Sequence, residues 1–262
     1  MFNKQRKTNI ALYVAMMFIT LLSLYGLFLF LSIEQITFLA EEDGPIEWFG
    51  AFSLLLSAIF FFMSFRRSKR GNDFLFIKPQ KNIFLLLLGL LMLFGFLEEI
   101  SWGQRIFQVP TPAFLEEANN QREINIHNLK TFMGFPLNSN FLLTLFWLSF
   151  CCLVPVLYYL VPPLKRFFDR INLPIVPLFI SFFFVLNYIV SIITPSLNQT
   201  DIIPISDVVE AKESYISFLF FIISVWHYDF LQIHQEAVYS SSSSLQTSLS
   251  EKDNIKSKSS AS

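Results

Sequence analysis

Six long apolar runs, separated by charged segments, constrain this chain more than any other feature. They occupy 10–33, 45–65, 82–102, 141–161, 174–193 and 207–232. Each is close to the ~20 residues that a helix rising about 1.5 Å per residue needs to cross a hydrocarbon core of roughly 30 Å. An apolar share of 53%, with 33 Phe against 8 Gly in 262 residues, is too high for a soluble domain of this length. The chain therefore reads as all-α, a six-helix transmembrane bundle over 1–238 with both termini on the same side. From 239 to 262 it is polar, with 240–244 all serine, and this predicts a disordered cytoplasmic tail.

The first run follows Lys4, Arg6 and Lys7 as a signal peptide would, but it is well over the ~7–15 apolar residues of a cleaved signal and reads as a retained span. Cys151 and Cys152 are adjacent within the fourth run and read as small packing residues. Pro155 and Pro177 are predicted to kink the fourth and fifth spans.

Charge sorting sets the orientation. With the N-terminus inside, only Arg105, Arg122, Lys130 and Lys212 of the 19 Lys and Arg lie outside. Of the 20 Asp and Glu, only Asp73, Asp169, Asp229, Glu236, Glu251 and Asp253 lie inside. Basic residues of short loops stay cytoplasmic, so both termini are predicted to be cytoplasmic. The longest loop, 103–140, is then outside. Its helix signals are Thr111 as N-cap before Pro112, and Asn125 as N-cap with Gly134 as the stop; both predict short surface helices.

The polar residues able to do chemistry gather on that outer face. Clean apolar sequence in the third run covers only 83–97, about 22 Å of helix, so a full span takes Glu98 and Glu99 into the membrane. An intramembrane carboxylate is costly and needs a partner. On a continuous helix Glu98, Trp102 and Arg105 form one stripe, so Arg105 is predicted to pair with Glu98 and Glu99 points elsewhere. A structural ion pair with an interfacial Trp would explain those three residues equally well. Glu47, in the first turn behind Pro45, complements a helix dipole, yet Glu42 and Asp43 crowd beside it. Asp207 and Glu210 have the spacing of a capping box, which leaves Glu213 over. His127, the outer histidine, suits a general base or a ligand, although a loop histidine is more often a plain surface residue.

The sequence contains no HExxH, CxxC or glycine-rich phosphate loop, so soluble catalytic signatures give no reading. Glu99, His127, Glu98 and Arg105 are the candidate catalytic group. Glu47, Glu99, His127 and Glu213 are candidate ligands, oxygen-rich and therefore suited to a hard Mg²⁺, Ca²⁺ or Mn²⁺ ion if a metal is held at all. The partners implied are the lipid bilayer and a lipid or lipid-linked substrate; no feature points to nucleic acid. Three functions compete: a membrane-embedded hydrolase or transferase, a proton- or cation-coupled transporter, and a non-catalytic envelope scaffold. Charge in the inner half of spans one to five is lacking, which argues against the transporter.

The stretch Glu98-Glu99-Ile100-Ser101-Trp102-Gly103-Gln104-Arg105, taken with Glu42-Asp43-Gly44-Pro45-Ile46-Glu47-Trp48 and Asn125-Ile126-His127-Asn128-Leu129, resembles uncharacterised multi-pass membrane proteins of bacteria. The resemblance implies a bacterial inner membrane and carries over no catalytic role.

Overall fold

The computed structural model describes residues 2–41, 43–68, 80–119, 124–125, 131–132, 135–136, 139–196 and 203–259, with the backbone alone at 2–8, 105, 131–132, 135–136, 139–140 and 233–259. Those residues are almost entirely helical. Stretches 9–30, 33–67, 141–160 and 178–196 are long and apolar enough to cross a membrane. The second of these is bent, because α2 (Ile33–Ala40) ends at Glu41 and α3 (Pro45–Arg67) starts anew behind Gly44.

The centre of the molecule is the first half of α11 (Ile205–Ser259). Every residue from Ser214 to Phe220 is buried, and Tyr215, Leu219, Ile222 and Ile223 have no exposure at all. A helix apolar on all sides belongs inside a bundle. α3 packs along α11 most extensively, and α4 (Ile83–Glu99) lies against α3. α1 (Phe2–Phe30) and α10 (Leu178–Ile193) contact α11 and each other. The outward faces are apolar, as at Phe18, Ile19 and Leu22 of α1 and Phe182, Ile189 and Ile192 of α10. Such faces are compatible with lipid and costly in water.

Small residues and buried hydroxyls join the helices. Ser214 Oγ donates to the Ile46 carbonyl at 2.7 Å, Ser57 Oγ to Phe220 at 3.1 Å and Tyr215 Oη to Met17 at 2.7 Å. Between helices in lipid, close backbone approach and hydrogen bonds replace the hydrophobic drive.

Several elements differ from the sequence reading. The fourth run is α7 (Ser139–Trp147), a π turn (Leu148–Leu153) and α8 (Val154–Leu160). Pro155 has no N–H for the Cys151 carbonyl, and the widened turn just before it absorbs the mismatch. Pro177 makes no kink, because α10 starts behind it at Leu178. Asn82 does open α4, its side chain accepting from Phe84 N–H at 3.0 Å. Cys151 is fully buried and Cys152 partly; both are free thiols. In the long loop, α6 (Ala113–Ala118) forms one residue later than Thr111 would cap it. Where a second short helix was predicted to stop at Gly134, Thr131–Phe132 (β1) instead pairs antiparallel with Phe135–Pro136 (β2). The backbone of α11 stays helical to Ser259, through the segment predicted to be disordered. Extending an existing helix needs no new nucleus, which polar propensity alone would not supply.

Candidate functional site

Three helix ends build the site. At the first, α2 opens on a capping box: Ser32 Oγ accepts from Gln35 N–H and Gln35 Oε1 accepts from Ser32 N–H at 3.1 Å. The chain then turns through Asp43, at φ 63°, into Gly44. A Cβ on Gly44 would stand 2.6 Å from the Glu41 and Leu39 carbonyl oxygens, so only glycine fits. Gly44 has no side chain to cap α3, and Glu47 in the first turn folds back to accept the Asp43 N–H at 2.5 Å, which fastens the turn ahead of the helix. That accounts for the crowding of Asp43 beside Glu47.

The second is the end of α4. The helix stops at Glu99, and Ser101, Trp102 and Gly103 follow with φ of 46°, 56° and 78°. Two non-glycine residues in the left-handed region cost about 1–2 kcal/mol each. Strain of this kind persists where surrounding structure over-determines it, often at functional sites. The predicted continuous stripe through Arg105 is therefore broken, and Arg105 lies in the separate turn α5 (Gln104–Phe107), its side chain outside the described residues. Trp102 nevertheless comes back onto Glu98, donating Nε1–H to Oε1 at 2.6 Å, with Glu98 itself 5% exposed. Trp102→Phe keeps the edge contact with Phe94 and removes this donor. Loss of this hydrogen bond to a buried carboxyl should cost about 1–3 kcal/mol, read as a lower unfolding midpoint in detergent.

The turn also anchors the long loop. Ser101 Oγ accepts from Asn125 Nδ2 at 3.0 Å, and Asn125 Oδ1 accepts from Asn119 Nδ2 at 2.7 Å, all three residues being buried. Gln104 Nε2 donates to Thr111 Oγ1 at 2.5 Å, and Gln104 Oε1 accepts the Ile124 N–H at 2.6 Å. Two of the three outer motifs thus meet through Ser101 and Asn125.

The third is the start of α11, which begins at Ile205, two residues ahead of the predicted cap. Asp207 is consequently the third helical residue rather than the N-cap, and its carboxylate accepts from Thr37 Oγ1 at 2.9 Å and Ser206 Oγ at 3.0 Å. Glu213 lies beside Lys212, whose Nζ is 3.9 Å from Glu213 Oε1. From within the bundle, Asn187 Nδ2 donates to the Lys212 carbonyl at 3.1 Å.

These ends converge on Glu99, which lies within electrostatic reach of Glu210, Glu213, Glu47 and Glu98. Carboxylates from α3, α4 and α11 therefore act on one another through space. Glu210 was assigned to a cap in the sequence reading, yet its spacing from Glu213 already put both on one face. Lys212 was missed because it reads as an isolated outer lysine. His127 lies outside the described residues, as do Glu42, Arg122 and Glu123. Among the described residues, no three of His, Cys, Asp or Glu are arranged to hold a metal ion. The carboxylates present act on one another electrostatically without forming a ligand shell. Compared with protein-family models, curated proteins and solved structures, the chain finds no match.

Proposed function

We propose that this chain is a six-span protein of a bacterial inner membrane, with both termini cytoplasmic, and that its outer face holds an acid/base site for hydrolysis or group transfer on a lipid or lipid-linked substrate. The spans are α1, α3, α4, the unit from α7 to α8, α10 and the first half of α11. The observation that carries the reading is the grouping of Glu99 with Glu47, Glu210 and Glu213 from three separate helices. Helix caps and topology signals give no reason for such charges to collect at one point, since like charges held together are costly. Carboxylates gathered at the rim of the apolar bundle can take and return a proton beside a bound substrate. Glu99 is assigned the acid/base role, with His127 from the loop that Asn125 anchors as its complement. Glu47 and Glu213 share the proton, Glu98 is a positioning residue held by Trp102, and Arg105 orients an anionic group.

The test is turnover. Protein in nanodiscs of bacterial polar lipid extract is incubated, and the lipids are compared by mass spectrometry with those from Glu99→Gln nanodiscs. The expected result is a lipid species converted by the wild type and slowed by about 10²–10⁴-fold in Glu99→Gln, with insertion unchanged. Equal conversion by both proteins, or no converted species, would overturn the reading.

A second reading, a proton-coupled transporter, draws on the opposite end of α11. There Tyr13 Oη donates to Asp229, and the His227 ring lies 6.5 Å from Phe61. Asp229 and His227 lie in the sixth span, outside the spans whose inner halves lack charge. Proton flux in proteoliposomes that Asp229→Asn blocks would favour this reading over the enzyme.

A further inference from the structure

At the end of the bundle away from the acids, the chain leaves α8 through Val161, which is extended, and enters α9 (Pro162–Arg170) on Pro162 and Pro163. Prolines suit the first helical positions and make a sharp restart. α9 is strongly two-sided. Leu164, Phe167 and Phe168 fall on one face by helical spacing, whereas Lys165, Arg166, Asp169 and Arg170 fall on the other. Phe167 is 52% exposed. α8 is the principal packing neighbour of α9, so much of the apolar face is left for something else to cover.

The polar face has a built arrangement. Lys165 Nζ donates to Asp169 Oδ2 at 2.6 Å and to Tyr158 Oη at 3.0 Å, while Tyr158 Oη donates to Asp169 Oδ1 at 2.9 Å. The hydrogen bonds to Asp169 and then Tyr158 hold the Lys165 ammonium charged, raising it above its ordinary range. This triad pins α9 to α8 and offsets Asp169 with Lys165. Arg166 and Arg170 therefore give the helix its excess positive charge. The α3–α4 corner adds to the same rim. Asn82 Nδ2 donates to the carbonyl of Asn172, two residues past Arg170, at 2.8 Å, and the neighbouring Lys81 Nζ donates to the Arg66 carbonyl at 2.8 Å. Asp229, an inner acid whose side chain is described, is engaged by Tyr13.

We propose that α9 lies in the plane of the membrane and, with the α3–α4 corner, binds an anionic phospholipid, the phosphodiester between Arg166, Arg170 and Lys81 and an acyl chain against Phe167. Charge complementarity selects this occupant: an amphipathic helix with aromatic residues beneath and arginines above matches a lipid that is apolar below and anionic above. The inference rests on membrane insertion and is independent of the chemistry at the outer face.

Delipidated protein in detergent is titrated with phosphatidylglycerol or phosphatidylcholine of the same acyl chains, and bound lipid is counted by native mass spectrometry. Phosphatidylglycerol should be retained roughly fivefold better or more. Arg166→Gln with Arg170→Gln should bring it down to the phosphatidylcholine level, whereas Arg166→Lys with Arg170→Lys should keep most of the preference. In a second measurement, Phe167→Trp protein in nanodiscs containing brominated phosphatidylglycerol should lose much of the added tryptophan emission. Equal retention of the two lipids, phosphatidylglycerol binding unchanged in the glutamine variant, or unquenched emission from position 167 would each overturn the proposal.

Discussion

Gly50→Val is expected to separate α3 from α11 and to lower the stability of the whole bundle. A Cβ at position 50 would stand 2.8 Å from Ser214 Oγ and 3.1 Å from Ser214 Cα. A hydroxyl can rotate away; a backbone carbon of the central helix cannot. One turn outward, Ser214 Oγ donates to the Ile46 carbonyl at 2.7 Å, so moving α11 also breaks that bond. Overpacking costs about 1–3 kcal/mol, and the lost hydrogen bond adds about 1 kcal/mol. The site should fail with the interface, because Glu47 lies one turn outward of Gly50 and Glu213 adjoins Ser214. Unfolding midpoints of Gly50→Ala, Gly50→Ser and Gly50→Val in detergent should fall in that order. Gly26→Ala is the matched control, since nothing lies within 4 Å of a Cβ there. A Gly50→Val protein as stable as Gly26→Ala would contradict the close approach of the two helices.

Asn187→Leu is expected to produce the second large loss. Asn187 is fully buried, accepts from Tyr25 Oη at 2.7 Å and donates to the Lys212 carbonyl at 3.1 Å. Leucine fills similar space and can do neither. Leaving a hydroxyl and a carbonyl short of these partners costs about 1–3 kcal/mol for each group by soluble-protein measures. Interhelical bonds within membranes measure lower, with an upper end near ~1.7 kcal/mol, because the unfolded state there also finds partners. The smaller figure is the better guide for a site at mid-bundle. Tyr25→Phe in the same chain should restore part of the loss, since one of the stranded groups is then gone. A double-mutant cycle reads this as non-additivity, and strictly additive losses would mean that the Tyr25–Asn187 bond contributes nothing. Lys212 adjoins Glu213, so Asn187→Leu should also disturb the acid site from beneath.

The apolar runs showed the helices because their signal is local: a helix in lipid satisfies its own backbone, and length and hydropathy mark it wherever it packs. The start of α3 was readable for the same reason, since Pro45 acts on the adjacent turn. The misplaced features depend on neighbours. Asp207 has a cap's spacing, but the bond from Thr37 of α2 holds it inside the helix. Pro177 could bend a helix or begin one, and its sequence is the same in both cases. The end of α4 looked continuous through Arg105, because nothing local announces that Ser101 and Trp102 will turn left-handed while Asn125 holds Ser101 from 24 residues away.

By itself the sequence determined which segments are apolar, where the charges are sorted along the chain, and which acids the membrane boundary leaves without an evident cap. Only the tertiary structure decided that Glu47, Glu210 and Glu213 act electrostatically on Glu99, that Trp102 takes Glu98, and that α11 is the central helix. Hydropathy and capping act over one or two turns and can be read from consecutive residues. Electrostatic coupling and close packing act through space between helices that lie far apart in the chain, and they depend on rotation and depth that local pattern does not specify.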